Sequence, residues 1–409
     1  MTGTAIARRS LRWVAAGQFL GALADNALLL VSIEVLAERH AQEWAAPALR
    51  IAFYGSYVLL SAFSGAVADA VPKKWVLFAT NLLKLCGCAL LLTQAHPLVA
   101  YALVGIGAAA HAPARYGILG ELADDGALVS ANAWIEISTV TALLAGVAWG
   151  SWLLRGVAAL PAEPSRITFD AILALGAAYL LAALCALPIR GAPASNPRAL
   201  DRPGDLLRHF GASVARLWND PAARMSLSVT CVFWSAAAVL QFVVLRWAAE
   251  RLLLSLPQAG LLQGAVAVGM IAGAAAAGRW IREERAAGVQ PLGIALGLSL
   301  LLMAWVDVLP AAVLLLWVTG ALSGLLLVPM NAVLQRSGLA LMHGGQSIAV
   351  QNFSENLASL AGLAAYGIAV ALQVALAPTL IGMGLAVCAA MLPWVAVGGL
   401  ARSRRRNVP

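Results

Sequence analysis

Apolar stretches long enough to cross a lipid bilayer recur along the whole chain. A membrane-spanning α-helix needs about 20 predominantly apolar residues, and turn residues and charges divide this sequence into twelve such segments. The composition agrees, because 61% of the 409 residues are hydrophobic and only 11% are charged, against roughly 25% charged residues in soluble domains. The sequence therefore predicts an all-α membrane protein that crosses the bilayer many times.

The predicted spans fall into two sets of six, separated by the polar interval 189–222, which is rich in Pro, Arg and Asp. We expect an N-terminal six-helix bundle over residues 1–188, a linker over 189–222 and a C-terminal six-helix bundle over 223–409. Within the linker, residues 204–218 are predicted to form an amphipathic helix on the membrane surface. The spans are residues 12–36, 49–69, 75–94, 97–115, 131–154, 168–188, 223–248, 258–279, 289–307, 311–335, 346–373 and 377–400.

Lys and Arg are distributed unevenly between the two predicted faces of the membrane. Of the 27 Lys and Arg residues, 20 lie in segments on the side of the N-terminus and five on the opposite side. Cytoplasmic loops are enriched in Lys and Arg, so both termini are predicted to be cytoplasmic. The net charge of +8 then reflects topology and contact with membrane lipid, and no nucleic-acid partner is expected.

The two sets of spans resemble each other, which is typical of transporters whose substrate site lies near the bilayer midplane, between two repeats. Glycines also recur on the spans and are expected to permit close helix contacts; among them are Gly107, Gly117, Gly264, Gly269, Gly273, Gly320 and Gly324. Three pairs of residues recur at separations of 216 to 220 positions, namely Pro113 with Pro329, Asn132 with Asn352, and Glu136 with Glu355.

The loop between spans 2 and 3 carries a more specific signal. Residues 65–74, GAVADAVPKK, resemble the loop signature of the major facilitator superfamily, Gly-x-x-x-Asp-basic-x-Gly-basic-basic, with two departures. We expect Asp69 to accept hydrogen bonds at a helix N-terminus and to close a cytoplasmic gate. The alternative is an ordinary turn that carries positive-inside lysines. The matching residues are Gly65, Asp69, Lys73 and Lys74.

Residues 104–122, VGIGAAAHAPARYGILGEL, resemble a narrower group, the bacterial lysophospholipid transporter family of that superfamily. The family has Lys where this chain has Arg115. Other similar stretches are QFLGALADNALLL at 18–30, VPMNAVLQ at 328–335 and SIAVQNFSEN at 347–356. The resemblance therefore runs from the first span to the last.

The resemblance implies a fold of twelve transmembrane helices and a transport function. Family members move lysophospholipids, chiefly lysophosphatidylethanolamine and lysophosphatidylglycerol, inward across the bacterial inner membrane by alternating access. Reacylation on the cytoplasmic side follows, which implies an acyltransferase/acyl-carrier-protein synthetase as functional partner. No catalytic residue, metal or cofactor is expected, and the chain is expected to act as a monomer.

Polar residues inside the spans are the candidate substrate site, because a charged side chain in hydrocarbon is costly and indicates either function or a helix-clipping ion pair. Asp25, near the middle of span 1, is a natural partner for a headgroup ammonium. Asn26 can bond the headgroup hydroxyl or phosphate. Arg115 offers bidentate geometry to the phosphate; its alternative role is a positive-inside anchor at the end of span 4.

Further candidates lie on later spans. A spacing of three or four residues places Asn352 with Glu355, and Asn132 with Glu136, on one helix face. An inner gate and headgroup contact remain open for these two pairs. The remaining candidates are Tyr116, Gln241 and Arg246 for the substrate, with Tyr116 alternatively in an interfacial belt, and Asn331 for the gate.

One position departs from the family pattern. Span 7 of the family reads Leu-Arg-Phe where this chain has Leu240-Gln241-Phe242. Either Arg246, five residues later, reaches back towards this position, or Gln241 gives a less charged site. The replacement of the family's Arg by Gln241 is expected to affect which lysophospholipid headgroup the site prefers.

Two other functions fit part of the pattern. A proton-coupled drug or organic-cation exporter of the same superfamily would use Asp25 and Glu355 as coupling carboxylates. A membrane-embedded lipid acyltransferase commonly needs His-x4-Asp, and none of the five His residues is followed by an aspartate at that spacing. The chain is therefore not expected to be an enzyme.

Overall fold

The computed structural model describes residues 3–41, 45–122, 128–154, 164–190, 193–200, 203–254 and 256–406. Across these ranges the chain forms thirteen α-helices joined by turns and short 3₁₀ segments, and no β-strand. Twelve helices correspond to the predicted spans, and α7 corresponds to the helix predicted in the linker. In chain order the helices are α1 (Gly3–Glu38), α2 (Ala45–Ala70), α3 (Lys73–Leu92), α4 (Pro97–Leu122), α5 (Leu128–Leu153), α6 (Pro164–Leu184), α7 (Leu206–Asn219), α8 (Pro221–Arg251), α9 (Leu256–Trp280), α10 (Pro291–Leu302), α11 (Leu309–Leu341), α12 (Gly344–Ala371) and α13 (Leu376–Arg406).

Ten helices in the described part of the chain are long and apolar enough to cross a membrane. The other two helices that match predicted spans are α10 and α12. Helix α10 is short and continues into the 3₁₀ turn Met303–Trp305, whereas α12 carries a polar stretch around Gln351 and Glu355 that lowers its hydropathy. The predicted all-α fold class is confirmed, and the division of the spans into two sets of six stays a prediction.

Helix ends extend beyond the apolar segments that predicted them. Helix α1 begins at Gly3, nine residues before the predicted span, because hydropathy marks only the apolar part of a longer helix. Helix α8 begins at a recognisable cap, since the side chain of Asp220 accepts a hydrogen bond from the backbone N–H of Ala223 at 2.8 Å and Pro221 occupies the first helical position. Both features favour a helix start.

The first of two compact units comprises Met1–Asp124, Ser138–Arg216 and Gly338–Phe353. Within it, α4 packs against α2 and α3, while α6 packs against α1 and α3. Its apolar core surrounds the fully buried ring of Tyr179 and includes Leu28, Leu49, Val104, Ile172 and Leu175. Charged side chains that enter this apolar core need a polar partner there.

The second compact unit comprises Asp125–Ile137, Leu217–Ser337 and Ser354–Pro409. Within it, α13 packs against α8 and α10, and α9 packs against α8. Its core surrounds Trp247 and includes Val243, Leu300, Met303, Leu316 and Met330.

The backbones of α9 and α11 come into direct contact inside the second unit. A Cβ atom at Gly273 would overlap the backbone oxygen of Ala321, and one at Gly320 would overlap that of Val266. Only glycine permits so close an approach. Each helix carries two such glycines four residues apart, Gly269 and Gly273 on α9 and Gly320 and Gly324 on α11.

One face of the linker helix α7 packs against the first turns of α12. The ring of Phe210 meets that of Phe353 edge-on, with centroids 5.5 Å apart, and the hydroxyl of Ser213 lies 3.4 Å from Oε1 of Gln346. Arg208, on the opposite face, is exposed. The helix forms where the sequence predicts it; its contact with the membrane surface stays a prediction.

Candidate functional site

Asp25 forms an ion pair inside the first unit. The Nζ atom of Lys84, on α3, lies 2.7 Å from Oδ2 of Asp25, on α1. The hydroxyl of Tyr179, on α6, donates a hydrogen bond to Oδ1 of the same carboxylate at 2.8 Å. The Lys84 ammonium also lies over the Tyr179 ring, 5.8 Å from its centroid. Three helices thus meet at one charge pair.

Burial makes this pair costly to break. The Lys84 side chain is 4% exposed and that of Asp25 is 16% exposed. Charges held out of water need a partner, and removal of one partner leaves the other uncompensated. Gly107 of α4 accommodates the lysine, because a Cβ atom there would lie 2.8 Å from Cγ of Lys84. The carboxylate that the sequence assigned to a headgroup ammonium therefore already holds a cation.

Asn26, the neighbour of Asp25, is directed towards its own helix. Its Nδ2 donates to the backbone oxygen of Ala22 at 2.8 Å. Helix α5 crosses at this point, and a Cβ atom at Gly146 would lie 3.0 Å from Cβ of Asn26.

Arg115 lies on α4 with an unsatisfied donor. Its guanidinium carbon is 4.2 Å from the centroid of the Tyr116 ring, which is a cation–π contact. Its Nε atom is buried and has no hydrogen-bond partner. A buried polar group without a partner calls for an explanation, and an anion that binds the guanidinium would supply one.

Arg115 and the Asp25–Lys84 pair are neighbours within the first unit. His111, one turn before Arg115 on α4, lies within electrostatic range of both Lys84 and Arg115, and its Nδ1 is 3.0 Å from the hydroxyl of Thr80. We refer to the group formed by Asp25, Lys84, His111, Arg115 and Tyr179 as the charged cluster. The sequence predicted Asp25 and Arg115 as site residues but assigned no role to Lys84 or Tyr179.

Asp69, at the end of α2, is fully buried and bonds to two other segments of the first unit. Its carboxylate accepts backbone N–H groups of Gly345 at 2.8 Å and of Gln346 at 2.9 Å, at the start of α12. The hydroxyl of Ser195 donates to the same carboxylate at 3.0 Å, and the backbone N–H of Asn196 donates to the Asp69 backbone oxygen at 2.8 Å. We call these five residues the Asp69 latch. A carboxylate at this position also interacts favourably with the helix dipole.

The two lysines of the same loop differ in environment. Lys73 is buried and pairs with Glu121, near the end of α4, and a Cβ atom at Gly117 would lie 2.7 Å from Cε of Lys73. Lys74 is only half-buried and lies over the ring of Trp75, 5.0 Å from its centroid. Lys73 therefore ties α3 to α4, whereas Lys74 contacts its immediate neighbour.

Replacement of Asp69 by alanine is expected to lower the thermal midpoint of the purified protein. The change removes the acceptor for two backbone N–H groups at the start of α12, and each unsatisfied group costs about 1–3 kcal/mol. Asp69→Asn keeps one acceptor oxygen, so its midpoint should lie between those of the wild type and Asp69→Ala. Asp205→Ala, which removes a carboxylate paired with exposed Arg208, is the control. Equal midpoints for Asp69→Ala and Asp205→Ala would contradict a stabilising latch.

The gate candidates Asn132 and Asn331 lie in the second unit, beside a partner that the sequence did not single out. Nδ2 of Asn132, on α5, donates to Oε1 of Gln335, on α11, at 2.9 Å, and Nε2 of Gln335 donates back to Oδ1 of Asn132 at 2.8 Å. Both side chains are buried, as are those of Glu136 and Asn331 one turn away on the same helices. The reciprocal amide pair joins α5 to α11.

Gln241 and Arg246, both on α8, are held by different groups. Nε of Arg246 lies 2.6 Å from Oε1 of Glu250, and its Nη1 donates to the backbone oxygen of Val374 at 3.2 Å. Gln241 is exposed, and its backbone oxygen accepts from the side chain of Gln263 at 3.1 Å. The sequence left open whether Arg246 reaches back towards Gln241. In the structure Arg246 pairs instead with Glu250, which lies one helical turn further from Gln241.

Asn352 and Glu355 share a face of α12 but belong to different compact units, the first and the second respectively. Glu355 is buried and lies within electrostatic range of Cys231, on α8. Asn352 is half-buried. Of the predicted substrate residues, the structure therefore gathers Asp25, Arg115 and Tyr116 in one unit and places Gln241, Arg246 and Glu355 in the other.

The long apolar helices and their buried charges are typical of a protein that crosses the membrane many times, and comparison with known proteins shows its class, the major facilitator superfamily of transporters. The family model described as Major Facilitator Superfamily matches residues 14–363. The crystal structure of the transporter FucP in the outward conformation aligns with a TM-score of 0.75 at 15% identity, covering 95% of this chain and 98% of that chain. The human organic anion transporter MFSD10 (TETRAN) aligns with a TM-score of 0.67 at 19% identity, covering 96% and 98%. At these identities the likeness shows the fold.

Three relatives narrow the assignment. The lysophospholipid transporter LplT of Serratia proteamaculans (strain 568) is 36% identical over 370 residues, 90% of each chain. LplT of Escherichia coli O9:H4 (strain HS) is 35% identical over 394 residues, and LplT of Citrobacter koseri is 36% identical over 396 residues, each covering 94% of both chains. The chain belongs to the lysophospholipid transporter LplT family of the major facilitator superfamily, as the sequence motifs predicted. It is a multi-pass inner-membrane protein and a transporter, and the acyltransferase alternative is set aside.

Proposed function

We propose that the chain moves lysophosphatidylethanolamine and lysophosphatidylglycerol inward across the inner membrane by alternating access. The function named for its relatives supports the substrate class. Within the chain, the charged cluster supports it, because charges of both signs lie among apolar helices of one unit. A lysophospholipid headgroup presents a phosphate together with an ammonium or hydroxyl groups, and such a cluster matches it in charge.

Arg115 is the proposed phosphate ligand. Its buried Nε has no partner, and a guanidinium binds phosphate oxygens through two parallel hydrogen bonds. Tyr116 holds the guanidinium in place through the cation–π contact. Asp25 is the proposed ligand of the headgroup ammonium, and Asn26 is the proposed hydrogen-bond partner of the glycerol hydroxyl. From the second half of the sequence, Gln241, Arg246, Asn352 and Glu355 would contribute a site with fewer free charges, because Arg246 is engaged by Glu250.

The Asp69 latch is the proposed centre of a cytoplasmic gate. Lys73 and Lys74 of the same loop belong to this proposed gate. In the second unit, the proposed gate residues are Asn132, which pairs with Gln335, and Glu136 and Asn331. The distribution of Lys and Arg supports cytoplasmic termini and a linker, 189–222, on the same side between two six-helix halves, 1–188 and 223–409. A lipid delivered to that side meets the acyltransferase/acyl-carrier-protein synthetase that we propose as functional partner of a monomeric transporter.

Reconstitution tests the function. Proteoliposomes should accumulate labelled lysophosphatidylethanolamine and lysophosphatidylglycerol in the receiving leaflet faster than protein-free vesicles of the same lipid composition. The assay is run with and without an imposed proton gradient. Movement of organic cations that depends on the gradient, with no movement of either lysophospholipid, would assign the exporter function instead.

A further inference from the structure

We propose that a water molecule binds between α1, α3, α4 and the end of α6, where it donates one hydrogen bond to Oδ1 of Asn81 and one to Nε2 of His111. The site belongs to the first compact unit. It lies beside the charged cluster, because Asn81 is one turn before Lys84 on α3 and His111 is itself a member of the cluster. This water site is independent of the proposed transport function.

The four helices enclose a small cavity. Its wall carries the side-chain amides of Gln18 and Asn81 and the imidazole of His111 among mostly apolar residues. The space accommodates about one water molecule, the size at which a polar cavity binds an ordered water. Among its described lining residues there is no Asp, Glu, Lys or Arg. The cavity therefore suits a small neutral ligand better than an ion or a lipid headgroup.

Asn81 presents an acceptor to this cavity. Its side chain is buried, with 1% exposed, and its Nδ2 donates to the backbone oxygen of Leu77 at 2.9 Å. Its Oδ1 is buried and has no partner in the protein. Gly21 on α1 leaves this oxygen uncovered, because a Cβ atom there would lie 3.3 Å from it. A buried oxygen of this kind is normally satisfied by ordered water when no protein group reaches it.

His111 presents a second acceptor. The hydroxyl of Thr80 donates its single hydrogen to the backbone oxygen of Leu77 at 3.2 Å, and its Oγ1 lies 3.0 Å from Nδ1 of His111. Since the hydroxyl hydrogen is engaged, Nδ1 carries the ring hydrogen and donates to Thr80. In a neutral imidazole with a hydrogen on Nδ1, Nε2 is an acceptor.

One water molecule meets both requirements, because it has two hydrogens to donate and the two acceptors cannot satisfy each other. The third polar side chain of the wall is directed elsewhere, since Nε2 of Gln18 donates to the hydroxyl of Thr139 at 3.1 Å. With water as donor to Nε2, the ring of His111 stays neutral. It then adds no further positive charge beside Lys84 and Arg115, which both lie within its electrostatic range.

Solid-state NMR of the full chain in lipid bilayers, with isotopically labelled histidine, tests the site. Magnetisation is transferred from water to the ring nitrogens, and the His111 signals are identified by their loss in His111→Gln. We expect a hydrogen on Nδ1, none on Nε2, and transfer from water to a ring that is only 8% exposed. Exposed His96 supplies the reference for a solvated ring. Absence of transfer to His111, or a hydrogen on Nε2, would overturn the proposal.

A variant tests the contribution of Asn81. Asn81→Leu keeps the size of the side chain but removes one of the two acceptors, so transfer to His111 should fall about tenfold, the effect of one hydrogen bond. The matched control is Gln290→Leu, which removes a buried amide from the second unit and should leave the transfer unchanged. Transfer at the wild-type rate in Asn81→Leu would refute the bridge. The wild-type spectrum decides the proposal by itself where Asn81→Leu folds poorly.

Discussion

A methyl group at position 273 is expected to force α9 away from α11 and to lower the thermal midpoint of the protein by about 5 °C, the effect of about 2–3 kcal/mol of overpacking. The Cβ atom of Gly273→Ala would overlap the backbone oxygen of Ala321. A backbone oxygen cannot move aside as a flexible side chain can. The two helices would therefore separate, and the contacts along the glycine pairs of both helices would be lost with them.

The same helix offers the control. A Cβ atom at Gly264, also on α9, would meet nothing within 4 Å, so Gly264→Ala should leave the midpoint unchanged or raise it slightly through helix propensity. The midpoints of both variants and the wild type are compared by thermal unfolding in the same detergent. Equal midpoints for the two alanine variants would rule out the close backbone contact.

The largest expected loss of transport follows replacement of Arg115. Arg115→Ala removes the proposed phosphate ligand and should reduce the initial rate of lysophosphatidylethanolamine uptake about 100-fold, since hydrogen bonds to charged groups contribute about 1.5–3 kcal/mol each. Arg115→Lys keeps the charge but not the bidentate geometry, so its loss should be about tenfold or less. Uptake is measured in proteoliposomes with equal amounts of inserted protein.

Arg216→Ala controls for the loss of a positive charge as such. Arg216 is exposed near the end of α7, far along the chain from the charged cluster, and its replacement should leave uptake unchanged. Because Arg115 has one buried donor without a partner, its removal is not expected to destabilise the fold. An Arg115→Ala variant with wild-type uptake would exclude Arg115 from the substrate site.

The helices could be predicted from the sequence because the bilayer imposes a length and a composition on each span. The linker helix could also be predicted, since residues 204–218 and the observed α7, Leu206–Asn219, agree closely. The ends of the helices could be predicted less well. Hydropathy does not record where a helix continues into polar surroundings, which is why α1 begins at Gly3 rather than at residue 12.

The partner of a polar residue could be predicted only where the two residues are close in sequence or belong to a known motif. The contact of Asp69 with a helix N-terminus was predicted from the loop signature. The ion pair of Arg246 with Glu250 has the four-residue spacing of neighbours on a helix, and this spacing could have revealed it. Lys84 is a single lysine inside an apolar span, which indicates that it must be paired.

The identity of that partner could not be read from the chain. Asp25 and Lys84 are 59 positions apart, and their meeting depends on how α1 and α3 are rotated about their axes. The amide pair of Asn132 and Gln335 spans 203 positions and depends on tertiary packing in the same way. Glycines pose a similar difficulty, because Gly264 and Gly273 look alike in sequence while only Gly273 lies against a backbone.

The hydrogen bonds from Ser195 and Asn196 to Asp69 change how the segment between the halves should be engineered. These hydrogen bonds hold residues 195 and 196 in a fixed position beside a buried carboxylate. The number of residues that join them to the neighbouring helices therefore matters. Affinity tags, fluorescent proteins or protease sites inserted at residues 193–198 would disrupt the hydrogen bonds from Ser195 and Asn196 to Asp69. Insertions after residue 200 would keep Ser195 and Asn196 on the same fragment as Asp69. Such insertions are therefore the better choice for split or fused versions of the transporter.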